Sequence, residues 1–482
     1  MTHTLTTAGP LPAQDADGGY DVTVVGAGVV GAAIARELAR HPLRTALVDA
    51  ADDVGSGTSK ANTAILHTGF DAVPGSLEAR LVREGYDLLA VYAAQTGIPL
   101  ERVGALLIAW DEEQLAALPG LLDKAVRNGY RAARLIGGDE LRAREPLLGP
   151  GALGALDVPD ESIICPWSTP LAFATQAVRA GVHLHLNCRV RAVAQGTDGH
   201  VLTTSRGPLR TRYVVNAAGL YADEIDRMLG NDVFTVTPRR GQLIVYDKLA
   251  RDLVGHILLP VPGPGGKGVL VAPTVFGNVL LGPTAEELDD RTDTASTAEG
   301  LRLLREKGSR IVPGLVEEEV TAVYAGLRAA TGQEDYRIQE YPALRYVAVG
   351  GIRSTGLTAS MAIARHVVEL LGATGLELTG PHDLPPLTMP ALGEASPRPY
   401  RSAALIAEDP AYGSLVCHCE QVTLGEIRDA LVSTIPPRSL DGLRRRTRAR
   451  GGRCQGFYCG AAVRALFEEG TAGTGDDEEA RG

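Results

Sequence analysis

Six cysteines are present, and four fall into two close pairs, Cys417-x-Cys419 and Cys454-x4-Cys459. Thiolates are soft ligands, and two pairs of them suit a zinc ion or an iron–sulfur cluster; spacing alone does not choose between the two. The first residues show no basic start and no apolar core of signal-peptide type. In such a chain clustered cysteines read as metal ligands or redox thiols before structural disulfides. Cys165 and Cys188 stand apart and read as packing residues. Far from the thiols, a second pattern carries chemistry: Gly26-Ala27-Gly28-Val29-Val30-Gly31 between an apolar run at 21–25 and an alanine-rich segment, with a further apolar run at 45–48 ending in Asp49. Strand, glycine turn, helix, strand and acid in this order make a unit that holds an adenine dinucleotide. Gly26 permits the tight turn, Gly28 lets the backbone approach a pyrophosphate at the helix N-terminus, and Gly31 lets helix and sheet pack closely. Asp49 is placed to accept hydrogen bonds from ribose hydroxyls.

The elements that must position these groups belong to a chain of 482 residues, enough for two or three domains. A hydrophobic share of 45% and a charged share of 22% are those of a soluble globular protein. No stretch is long and apolar enough to span a membrane, and a cytoplasmic location is the simple expectation. The formal net charge of -11 opposes non-specific nucleic-acid binding. One local basic run, Arg444-Arg445-Arg446-Thr447-Arg448-Ala449-Arg450, precedes the second cysteine pair and reads either as a solvated helix face or as a patch that steadies an anionic group or docks an acidic partner.

Helical periodicity is expected at 76–95, 112–128, 168–180, 298–309 and 358–371. Short strands are expected at 103–110, 182–186, 190–193, 201–204 and 213–216, while 149–166 reads as a turn-rich polar stretch. From about 232 to 324 hairpin-like strands dominate and indicate an antiparallel or mixed sheet. A strand-to-helix pattern returns at 346–371 through Gly350-Gly351-Ile352-Arg353-Ser354-Thr355-Gly356-Leu357. Dinucleotide-domain character thus occurs in three separated segments, with a second domain threaded between them. Prolines crowd 379–399, which reads as an extended linker.

The motifs at 26–31, 62–69, 216–220 and 350–356 resemble those of the FAD-dependent oxidoreductases of the D-amino-acid oxidase and glycerol-3-phosphate dehydrogenase superfamily, including L-2-hydroxyglutarate oxidases. The stretch Gly452-Arg453-Cys454-Gln455-Gly456-Phe457-Tyr458-Cys459 resembles the bacterioferritin-associated-ferredoxin type of [2Fe-2S] module, as in the anaerobic glycerol-3-phosphate dehydrogenase catalytic subunit. The resemblance implies an α/β plus α+β architecture: a Rossmann-like FAD-binding domain interleaved with a mixed or antiparallel-sheet substrate domain, and a small C-terminal cysteine-ligated cluster domain. The expected division is a disordered leader at 1–19, FAD domain at 20–97, 161–231 and 326–376, substrate domain at 98–160 and 232–325, linker at 377–399, cluster domain at 400–469 and an acidic tail at 470–482.

The resemblance also assigns roles. FAD is expected against Gly26, Gly28, Gly31, Asp49, Ala218, Gly219, Gly350, Gly351, Gly356 and Leu357, with Asp49 where relatives usually carry Glu. A [2Fe-2S] cluster is expected on Cys417, Cys419, Cys454 and Cys459. His67 is the expected base beside the flavin, and Arg328 and Arg353 the expected clamps for an anion. Lys267 and the 273–278 stretch are weaker candidates for the pocket. The implied activity is hydride removal from a small anionic hydroxy substrate, glycerol 3-phosphate or a 2-hydroxy acid, with electrons leaving through the cluster to an electron-accepting protein subunit that could also bring the chain to a membrane. An amine or amino-acid substrate, and a non-catalytic electron-transfer or redox-sensing subunit, are the alternatives.

Overall fold

A computed structural model describes residues 5–6, 9–11, 19–263 and 268–472. The first sheet is built on three parallel neighbours. Tyr20–Val25 pairs on one side with Thr45–Val48 and on the other with Gly207–Asn216. Tyr346–Gly350 then lies parallel beside Gly207–Asn216, and Arg337–Tyr341 returns antiparallel along it. Central strands buried on both faces must be apolar throughout, which is why residues 21–25 and 45–48 are valine- and leucine-rich without alternation. Helices Val29–Leu38 and Gly356–Ala373 pack on this sheet with alanines and glycines at their shared face, and those small residues allow the close approach.

The second sheet is mixed and mostly antiparallel. Its long central pair is Thr237–Tyr246 against Val320–Ala330, and its one parallel contact among the described residues joins Ile257–Pro260 to Ala105–Ala109. A small sheet of Ile65–Leu66, Ser162–Ile164 and Leu100–Arg102 ties the two large ones together. The cysteine-bearing module has its own core of Val422, Ile427, Leu443 and Val463. Helix Leu424–Leu431 in it starts with a reciprocal Thr423–Glu426 capping box.

Four expectations change. The stretch 149–166 is not a polar loop: Gly154–Val158 and Ser162–Ile164 are buried strands, disguised in sequence by flanking glycine, proline and acid. The 326–330 segment belongs to the second sheet, so Arg328 projects from the substrate domain and the chain re-enters the dinucleotide sheet only at Arg337. Within the leader, Leu5–Thr6 pairs with the strand His183–His185. The proline-rich linker forms neither helix nor strand between 377 and 398 but is not free. Its His382 amide donates to Arg40 O, its Met389 amide to Thr96 O and its Glu394 amide to Val275 O, and Leu387, Met389 and Leu392 are buried. The tail from 473 lies outside the described residues. No helix among the described residues is long and apolar enough to cross a membrane.

The module is docked by charge. Arg445 and Arg446 pair with Asp53, Arg453 with Asp247, and Lys60 with Asp441. The strap adds Glu394, paired with Lys248. Burial alone would raise these four carboxyls, but the neighbouring cations carry Asp53, Asp441, Asp247 and Glu394 below their ordinary values. A carboxylate with a depressed folded pKa contributes stability above its unfolded pKa and loses it as pH falls through the folded value. Docking is therefore expected to hold from neutral pH to about pH 4 and to fail only below it. Small-angle scattering against pH checks this; expansion already between pH 5 and 7 would contradict it.

Candidate functional site

The glycine turn is fixed by sterics. Gly26 has φ 105°, and a Cβ there would lie 2.4 Å from Ala217 O. At Gly31 a Cβ would lie 1.8 Å from Gly26 O, so this residue packs behind the turn and does not line the cavity. Gly28 differs. It precedes helix Val29–Leu38 with φ −68°, and a Cβ there would approach only Ser59 Oγ, at 3.3 Å. Neither backbone strain nor packing demands a glycine at 28. What a side chain would obstruct is the cavity, which has a volume of about 1040 Å³.

That cavity brings the expected cofactor residues together. Asp49, Ala218, Gly219, Gly350, Gly351, Gly356 and Leu357 all line it with Gly26 and Gly28. Its size suits a long ligand laid across both domains. The helix N-terminus supplies the electrostatics an anion needs. Asp49 also braces the turn: its Oδ2 accepts from Ala27 N at 2.6 Å and its Oδ1 from Ala51 N at 2.7 Å. Burial pushes its carboxyl above the ordinary range against those two bonds. A bare glycine cradle, a helix N-terminus and a carboxylate beyond the second strand together fit an adenine dinucleotide.

His67, Arg328 and Arg353 line the same cavity. The His67 backbone amide donates to Thr358 Oγ1 at 3.0 Å, and its Nδ1 lies 3.0 Å from Glu161 Oε2. Glu161 is wholly buried, and its other oxygen accepts from Thr68 N at 2.6 Å and Thr68 Oγ1 at 2.9 Å. A carboxylate can only accept, so the hydrogen-bond network assigns a proton to Nδ1, and in the neutral ring Nε2 then carries the lone pair. Sequence reasoning missed Glu161. It sits in the misread stretch, 94 residues from His67; an acid inside a buried segment was the available signal.

Arg328 forms no ion pair among the described residues; its nearest acceptor is Thr284 O at 3.5 Å. Gly241 makes room for it, since a Cβ there would lie 2.8 Å from an Arg328 Nη atom. Burial, and secondarily Arg239 beside it, lowers its pKa. Arg328 is thus a half-buried cation on the cavity wall with no counter-charge among the described residues. Arg353 is already engaged. It donates to Glu78 Oε2 at 3.0 Å and to Glu334 O, and Glu78 also accepts from Thr355 Oγ1 at 2.7 Å. Of the weaker candidates, Lys267 lies outside the described residues, and the 273–278 stretch lies away from the cavity.

In the module the four thiols lie close together as two neighbouring pairs, Cys419 with Cys454 and Cys417 with Cys459. Among the described residues no three His, Cys, Asp or Glu groups converge to hold a single metal ion. The expected four-cysteine ligand set is therefore seen as two pairs and not as a closed centre. Backbone amides of Tyr458, Gly456 and Phe457 point at Cys454 and hold its thiol below the ordinary value. The basic run beside them is no solvated face. Arg445, Arg446 and Arg448 are at most 6% exposed, and each has a carboxylate partner.

Comparison with known proteins agrees with this geometry. Residues 21–370 match the family model described as FAD dependent oxidoreductase, and residues 415–469 match the BFD-like [2Fe-2S] binding domain. The glycerol 3-phosphate dehydrogenase of Caloramator mitchellensis is 36% identical over 447 residues, covering 92% of this chain and 93% of that protein. The glycerol 3-phosphate oxidase of Mycoplasma pneumoniae is 30% identical over 362 residues, covering 73% and 94%. Among solved structures, a dithionite-reduced L-alpha-glycerophosphate oxidase from Mycoplasma pneumoniae with FAD bound superposes with a TM-score of 0.72 at 29% identity, covering 77% of this chain and 99% of that one. A glycine oxidase from Geobacillus kaustophilus shares the fold, with a TM-score of 0.68 at 24% identity over 75% of this chain and 96% of that one. The chain thus belongs to the FAD dependent oxidoreductase family and carries a BFD-like [2Fe-2S] binding domain behind its catalytic body.

Proposed function

We propose that this protein oxidises glycerol 3-phosphate, or a closely related small anionic hydroxy compound, and passes the electrons through a [2Fe-2S] cluster to a partner protein. The observation that carries the reading is Arg328, a half-buried cation without a counter-charge among the described residues, on the wall of the cavity it shares with His67. The glycerol 3-phosphate dehydrogenase and oxidase among the relatives support the same substrate class.

FAD, when bound, supplies the hydride acceptor. The chain's own residues do the rest. Arg328 holds the anionic group of the substrate, and its planar fork suits two oxygens of a phosphate or carboxylate. His67 accepts the hydroxyl proton at Nε2, because Glu161 keeps the ring proton on Nδ1 and fixes the ring plane. Thr68, bonded twice to Glu161, keeps that carboxylate in place. Arg353, paired with Glu78, steadies the wall beside Thr355 and leaves the anion to Arg328. In the module, two thiol pairs meet the demand of a two-iron centre, which takes two protein ligands per iron. The amides aimed at Cys454 suit a sulfur that carries negative charge.

Three outcomes are expected. In anaerobic titration, glycerol 3-phosphate should bleach the flavin absorbance, and Arg328→Met should raise the substrate requirement about 100-fold, the cost of removing one partner of an enclosed charge pair. Flavin that stays oxidised with both glycerol 3-phosphate and L-2-hydroxyglutarate would end the proposal. Cys454→Ser should leave that bleaching intact while reduction of a one-electron acceptor slows; slowed bleaching would count against a cluster downstream of the flavin. Gly28→Val should yield a folded protein, by circular dichroism and melting temperature, that retains almost no FAD; normal flavin content would mean that residue 28 does not face the dinucleotide.

A further inference from the structure

The loop that follows Thr45–Val48 has two working faces. On one face Asp49, Ser56 and Ser59 line the dinucleotide cavity. The loop is tied to the glycine turn on this side: Gly55 N donates to Ala27 O at 2.9 Å, and Ser59 Oγ accepts from Val29 N at 2.9 Å at the start of the phosphate-facing helix. On the other face Asp53 turns away from the cavity and is only 1% exposed. Its two oxygens are taken by the cysteine module. Oδ2 accepts from Arg445 Nη2 and Arg446 Nη1, and Oδ1 from Arg446 Nη2, each at 2.7 Å. Arg445 Nη2 also reaches Ser56 Oγ, a cavity wall, at 3.1 Å.

The approach is as close as sterics allow. A Cβ at Gly442, on the module helix Leu440–Thr447, would lie 2.8 Å from Asp53 Oδ2. Both arginines are held on their far sides. Arg446 donates to Ile435 O and Gly442 O at 3.1 Å each, and Arg445 to Asp441. Module and cavity wall are therefore joined through one buried carboxylate at this point. Nothing in the proposed oxidation needs these three residues.

We infer that Asp53, Arg445 and Arg446 are positioning residues that make retention of FAD depend on docking of the cysteine module. This rests on the reading that the cavity holds FAD. Coupling between two binding events is reciprocal, so FAD must favour module docking by the same factor by which docking favours FAD.

The test uses the full-length protein. Asp53→Asn leaves the buried Arg446 guanidinium uncompensated, with Arg445 still paired to Asp441, and can unfold the module, so a triple variant, Asp53→Leu with Arg445→Met and Arg446→Met, keeps apolar volume in place of the charges. FAD affinity is read by flavin fluorescence during titration of the stripped protein. Module docking is read by the cleavage rate of the 377–399 strap under a broad-specificity protease, with iron content and melting temperature as fold controls. Both variants are expected to bind FAD about tenfold more weakly, at unchanged iron content for the triple variant. Saturating FAD should slow strap cleavage in the parent but not in the triple variant. Unchanged FAD affinity in the triple variant, or parent cleavage indifferent to FAD, would overturn the inference. Parent protein that takes up no FAD would remove the premise itself, and its flat titration separates that failure from the other two.

Discussion

The tightest constraint in the molecule is the crossing of the Gly26 carbonyl between Gly31 and Ala217. Three chain segments meet within a distance that leaves no room for a Cβ on either glycine. Because Val25, Val48 and Ala217 are tied by backbone bonds at this point, the crossing sets where the parallel strands end. It thereby sets where the cavity begins, at the carboxyl ends of those strands, as is general in open α/β sheets. The helix start, the Asp49 brace and the Ser59 contact are then consequences of one steric fact. Polar groups at the catalytic end are placed relative to that frame by Thr358, on the helix that packs against Val29–Leu38.

Charge is handled differently at the two ends of the molecule. At the module interface every buried cation meets an acid, and the pairs serve as fixed geometry. In the substrate half Arg328 is left without one, and the histidine beside the cavity has its acid on the side away from the open space. Satisfied pairs specify how parts fit together; a cation without a partner keeps its hydrogen-bond donors for a group from outside. Arg353 was expected among the second kind; it lines the cavity and also pairs with Glu78.

Much of the dinucleotide half was legible because its demands are steric, and a steric demand writes itself into residue type as glycine. The motifs at 26–31, 216–220 and 350–356 needed no knowledge of distant partners. Electrostatic roles were far less legible. Whether an arginine is a clamp, a brace or a solvated surface group depends on where the acids lie, and Asp53 is 393 residues from Arg446. Glu161 was hidden for the same reason, and because glycine, proline and acid around it mask two short buried strands. The proline-rich stretch, read as a linker, forms no helix or strand between 377 and 398. Composition could not reveal that the surface beneath it is apolar.

That strap bears on how such a chain could be taken apart. Leu387, Met389 and Leu392 pack into the apolar core of the catalytic body, and Asp53 lies buried beneath the module with its carboxylate neutralised by Arg445 and Arg446. Excising everything beyond residue 376 would lay greasy surface open to water and strip a counter-charge from the cofactor wall in one cut. The redox appendage is separable as a stretch of sequence but not as a piece of surface. A lineage that gains or sheds it has to rebuild the face it covers.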